Sequence, residues 1–131
     1  MEVATYISAL TEECPDITEV WLFGSRVNGT ARSDSDWDLF VFGTERTLCT
    51  LQAHPEHQRD DIDLLVVLGG DEFKEPWGVN PKRGWLSEWE WKRLSPTQAC
   101  YTAPSRMQGI SDWDRPLQAH KATRVWTRNE P

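Results

Sequence analysis

The sequence predicts an α/β (α+β) fold: a small mixed β-sheet with helices packed on one face. Two observations predict it. Three short apolar, β-prone runs lie at 18–23, 36–42 and 62–68, each closed by glycine. Segments with helical spacing precede the first run and separate the second from the third, an order that suits a layered sheet.

The elements follow in order. Val3, Tyr6, Ile7 and Leu10 recur at helical spacing, so residues 2–13 read as an amphipathic helix that Pro15-Asp16 ends. TEVWLF (18–23) reads as a strand, broken by Gly24-Ser25. Residues 26–35 are polar, with Asn28-Gly29 as a turn signal. DWDLFVF (36–42) is a second strand, and a helix from 45 to 53 ends before Pro55. IDLLVVL (62–68) is a third strand, closed by Gly69-Gly70.

Beyond residue 70 prolines interrupt the pattern at 76, 81, 96, 104 and 116. Trp85, Trp89 and Trp91 cluster in GWLSEWEWKRL, where the spacing favours a strand over a helix. Residues 111–131 lack a strong period. The expected organisation is one domain over 1–110 and a C-terminal extension over 111–131, loosely ordered.

Composition is that of a soluble globular protein, with 38% hydrophobic and 27% charged residues among 131. The net charge of −7 is uneven: residues 1–81 carry −11 and residues 82–131 carry +4. Mutual attraction of the two regions is the simplest reading; a basic face for an anionic ligand is the other. The three cysteines, Cys14, Cys49 and Cys100, form no CxxC pair, so neither a disulfide framework nor a zinc knuckle is expected. The acidic N-terminus does not resemble a signal peptide, and no run approaches the roughly 20 apolar residues of a membrane span. A cytoplasmic location is expected.

The chemistry concentrates in Gly24-Ser25-Arg26, Asp36-Trp37-Asp38 and Asp63. Side chains alternate along a strand, so Asp36 and Asp38 share a face, roughly 6–7 Å apart. Paired carboxylates repel unless a cation lies between them, and oxygen-only ligands suit Mg²⁺. Asp63 sits inside an apolar run, where a carboxylate is costly without a partner. A neighbouring strand would bring it beside the pair and complete a two-metal site for phosphoryl displacement. Gly24 allows close backbone approach, Ser25 offers a hydroxyl and Arg26 a charge, which together suit phosphate binding.

At these residues the chain resembles the DNA polymerase β-like nucleotidyltransferase superfamily. That family's signature is an apolar strand, Gly-Ser, a connection of about ten residues, then Asp-x-Asp on the next strand. Here it stands as WLFGSRVNGTARSDSDWDLFVF. The match is most like the minimal nucleotidyltransferases, which carry GSR, a later Gly and Ser-Asp-x-Asp-Leu. It covers residues 18–68.

The resemblance implies a nucleotidyltransferase fold and Mg²⁺-dependent transfer of a nucleoside monophosphate from a nucleoside triphosphate, ATP by default, to a hydroxyl acceptor. Gly24 and Ser25 would hold the triphosphate, and Asp36 and Asp38 would bind Mg²⁺. Asp63 would complete the metal site and help activate the acceptor, with pyrophosphate as the second product. The acceptor could be a small molecule such as an aminoglycoside, a protein hydroxyl as in the minimal enzymes that act as antitoxins, or an RNA end. Two departures stand out. Trp37 replaces a small aliphatic residue between the aspartates. The third carboxylate has neighbours in Asp60 and Asp61, of which Asp61 would share the strand face of Asp63.

The alternative is a non-catalytic module of this fold, or an antitoxin-like protein, docking on a partner protein through its Trp-rich, basic C-terminal half. Arg83, Lys92, Arg93 and Arg106 are candidate phosphate contacts there, though exposed basic residues more often simply face solvent. His54 and His57, beside Pro55 and near Asp60 and Asp61, are candidate metal ligands; a solvated turn is the favoured reading.

Overall fold

The amphipathic N-terminal segment forms helix α1 (Val3–Glu13), which buries Tyr6, Ile7 and Leu10 on one side. This is a computed structural model, and it describes residues 3–24, 37–102 and 120–128. Strand β1 (Glu19–Phe23) follows, then β2 (Trp37–Gly43). Helix α2 (Glu45–Gln52) begins at Thr44, whose N–H donates to the Thr47 hydroxyl at 3.2 Å. A Cβ at Gly43 would press into the Thr47 side chain, so a larger residue at this strand-to-helix turn would have to displace it. A 3₁₀ turn (Pro55–His57) leads to β3 (Ile62–Leu68), β4 (Glu72–Lys74) and β5 (Arg83–Trp85). A second 3₁₀ turn (Leu86–Trp89) precedes β6 (Lys92–Ser95) and β7 (Gln98–Tyr101); β8 (His120–Thr127) completes the described elements.

The strands form one sheet in the order β5-β4-β3-β2-β1-β8-β7-β6. β2 and β3 are parallel, joined across the sheet by α2; the other neighbouring pairs are antiparallel. This is the mixed sheet that the sequence predicts, with both helices on one face. Alternation along the strands sorts the core. Val20, Leu39, Val41, Leu64 and Val66 pack with α1 and α2. Trp21, Phe23, Phe40, Phe42, Leu65 and Val67 line the opposite face.

Among the described residues no helix covers that second face. The sheet curls over it instead, so that Phe73 of β4 and Tyr101 of β7 share one cluster with Trp89 and Trp91. Trp89 lies 5.2 Å from the Phe73 ring and 5.6 Å from the Tyr101 ring. The tryptophans thus serve the core.

Two expectations need correction. The Trp segment is not one strand: Arg83–Trp85 is extended, Leu86–Trp89 is a 3₁₀ turn, and Glu90 turns the chain back in the left-handed conformation, φ 54°. That reversal lets Trp89 and Trp91 reach the same cluster without strand alternation. Part of the expected C-terminal extension is also ordered: His120–Thr127 lies between β1 and β7 and pairs with both. Only one residue of this strand, Ala122, is fully buried, so its apolar period is too weak to read from sequence. Among the described residues no helix is long and apolar enough to cross a membrane.

Candidate active site

The site forms where β1, β2 and β3 meet. In the parallel ladder Asp38 stands directly opposite Asp63, and in the antiparallel ladder it stands opposite Phe23. Asp38 has the parity of Phe40 and Phe42, and Asp63 that of Leu65 and Val67. Both carboxylates therefore emerge on the aromatic face, at the strand ends where the packed core stops, and both are partly exposed.

Gly24 follows β1 with φ +78°, and its N–H donates to the Tyr101 hydroxyl at 3.1 Å. A Cβ there would collide with the Asp38 carboxylate. Glycine is required twice over, by the backbone and by the close approach of an acidic group. Ser25, Arg26 and Asp36 lie outside the described residues.

Sequence reasoning missed Lys82. Its ammonium lies 2.7 Å from Asp63 Oδ2, reaching across from the β4–β5 connection. Glu75 and Lys82 brace this connection: the Glu75 N–H donates to the Lys82 carbonyl at 2.8 Å, and the Lys82 N–H to Glu75 Oε1 at 3.2 Å. Partial burial works to lower the Lys82 pKa. The bond to Asp63 and the charges of Asp63, Glu75 and Asp38 outweigh it and hold the ammonium above its ordinary value. Nothing in the PKRG segment signals this partner; only the hairpin brings it back to β3.

Asp61, the other candidate third carboxylate, is engaged elsewhere. Arg59 donates to it through Nε at 2.9 Å and Nη2 at 3.3 Å, and that pairing holds its carboxyl below the ordinary range. Asp63 is the one that shares a register position with Asp38.

Two of the basic candidates of the C-terminal half, Arg83 and Arg93, also have partners. Arg83 pairs with Glu72 at 3.3 Å, and Arg93 pairs with Glu19 at 2.9 Å while lying over the Trp21 ring. Arg106 lies outside the described residues. These pairs join the basic region to the acidic one, as simple charge attraction predicts.

The donor set fits a hard divalent cation. Two carboxylates converge on one face, and the described cation beside them, Lys82, is already drawn to 2.7 Å. Asp38 and Asp63 are the described carboxylates that could hold such a cation.

The family described as "Polymerase beta, Nucleotidyltransferase" matches residues 6–58, which span α1, β1, β2 and α2. Over that segment the chain is similar to the DNA polymerase β-like nucleotidyltransferases. A crystal structure of a Sulfolobus solfataricus protein, provisionally named a nucleotidyltransferase, is similar at 22% identity and a TM-score of 0.44. The similarity covers 52% of this chain and 65% of that one, so this chain spans less than two thirds of that protein. No curated protein matches the chain.

Proposed function

We propose that this protein transfers a nucleoside monophosphate from a nucleoside triphosphate, ATP by default, to a hydroxyl acceptor, with Mg²⁺ held by Asp36, Asp38 and Asp63. The observation that carries the reading is the register of Asp38 with Asp63 beside a glycine that admits no side chain. Bound Mg²⁺ would neutralise charge on the phosphates and on the reacting oxygens.

The remaining roles fall to the chain. Gly24, Ser25 and Arg26 would bind the triphosphate from the end of β1. The acceptor oxygen forms a bond to the α-phosphorus, the bond from that phosphorus to the bridging oxygen breaks, and pyrophosphate leaves. Asp63 would take the hydroxyl proton. The ladder fixes the backbone positions of Asp38 and Asp63 relative to each other before substrate arrives. Three free cysteines accord with a reducing cytoplasmic setting.

The rival reading, docking through the tryptophans, loses much of its surface, since Trp89 and Trp91 pack into the aromatic core. The test of the transferase reading follows the fate of ATP labelled at the α- or γ-phosphate, with hydroxyl acceptors of the three classes. Label from the α-position in the acceptor, with pyrophosphate released and both lost in Asp38→Asn, supports it. Phosphate and ADP as products, or turnover that Asp38→Asn leaves intact, contradicts it.

A further inference from the structure

A second cluster of potential ligands lies away from the carboxylate site, on the helix-covered side. Glu13 ends α1. His54, Glu56 and His57 lie on the 3₁₀ turn between α2 and β3 and its approach. Donor atoms of Glu13, Glu56 and His57 all lie within 4.8 Å of one another. Glu13 Oε1 is 3.5 Å from His57 Nε2 and 3.5 Å from His54 Nδ1, and Glu56 Oε2 is 3.0 Å from His54 Nδ1.

Two features distinguish this group from an ordinary surface ion pair. His57 Nε2 is fully buried and has no hydrogen-bond partner among the described residues, an uncommon state for a polar atom. It faces the Glu13 carboxylate from a ring whose side chain is only 15% exposed. The turn itself is pinned, because the Tyr6 hydroxyl donates to the His57 carbonyl at 2.6 Å. The spacing is also suggestive. Ligands on a tetrahedral ion with bonds of about 2.0–2.1 Å are separated by about 3.3–3.5 Å. The Glu13–His57 contact, at 3.5 Å, is close to that edge.

We propose that Glu13, Glu56 and His57 form a site for a zinc-like divalent cation. An imidazole beside two carboxylates suits Zn²⁺ or Co²⁺ and not Mg²⁺, which takes oxygen ligands. Its place suggests its purpose. It ties the end of α1 to the turn that feeds β3, the strand that carries Asp63. It does not depend on the transferase reading.

The test is a titration of Co²⁺ and of Zn²⁺ into the full chain at neutral pH, read by calorimetry and by the visible absorption of four-coordinate cobalt. Wild type is expected to bind one equivalent that gives the four-coordinate cobalt spectrum, with no thiolate-to-cobalt charge transfer, which would instead implicate the cysteines. His57→Gln and Glu13→Gln should weaken binding at least about tenfold, and Asp38→Asn/Asp63→Asn should leave it unchanged. Should His57→Gln or Glu13→Gln fail to fold, Glu56→Gln decides, because Glu56 is 64% exposed and its loss spares the core. No four-coordinate cobalt spectrum with wild type, a cysteine charge-transfer band, or equal affinity in wild type and Glu56→Gln would overturn the proposal.

Discussion

Lys82 reaches back from the β4–β5 connection to place its ammonium 2.7 Å from Asp63, the register partner of Asp38. Under the proposed function this lysine occupies ground that a metal ion needs. It balances the carboxylates in the free protein and must give way on loading.

Lys82→Met is therefore expected to strengthen Mg²⁺ binding to the nucleotide-free chain. The pair is partly exposed, with Lys82 53% accessible, so the gain is bounded by the worth of such a pair. That is at most about 1 kcal/mol, or roughly fivefold in affinity. A Mg²⁺ titration of wild type and variant measures it, and weaker binding in the variant would assign Lys82 a supporting role instead.

Gly24→Ala combines a strained φ of +78° with a collision against Asp38. A loss of roughly 1–3 kcal/mol in folding stability is expected, with nucleotide binding lost as Asp38 is pushed aside. Denaturant unfolding checks the first part. An unchanged midpoint would mean that the end of β1 relaxes freely.

Cys14 is buried, and desolvation, with Glu13 and Asp16 nearby, pushes its thiol up to about 11. Two outcomes follow. At mildly alkaline pH an alkylating reagent should modify exposed Cys49 and spare Cys14. The folded state also holds the Cys14 proton more tightly than the unfolded chain, whose thiol titrates near about 8.5. Its contribution to stability is thus fully present below that value and is lost as pH rises towards 11. Mass spectrometry after alkylation tests the first outcome, and stability of wild type against Cys14→Ala across that pH range tests the second.

Removal of residues 111–131 should abolish cooperative folding. β8 lies between β1 and β7, and its loss would bare the edge of β1 and split the sheet. Circular dichroism and thermal unfolding of the truncated chain test this. A stable, cooperatively melting 1–110 fragment would show that the expected domain boundary is real.

These particulars also show what the sequence could and could not reveal. The central strands were legible because β1, β2 and β3 are apolar runs closed by glycine, and because two aspartates of like parity fall where β2 and β3 align. Asp63 stood out from Asp61 by its apolar neighbours; the pairing of Asp61 with Arg59 could not be read from sequence. Lys82 was not legible, since its approach depends on a hairpin formed 19 residues downstream of Asp63. Nor was β8, where residues flanking Ala122 are only partly buried and local alternation carries little information. The Trp segment misled because Glu90 adopts a left-handed turn that no glycine or asparagine announces.

The central claim is that the Asp38–Asp63 juncture holds a metal–nucleotide complex. Calorimetric titration of ATP into wild type and into Asp38→Asn/Asp63→Asn, with and without Mg²⁺, tests it most directly. The account predicts binding in wild type that requires Mg²⁺ and disappears in the variant while the variant stays folded. Mg²⁺-dependent binding that survives the double substitution would contradict the site. Failure of any nucleoside triphosphate to bind folded wild type would contradict the function.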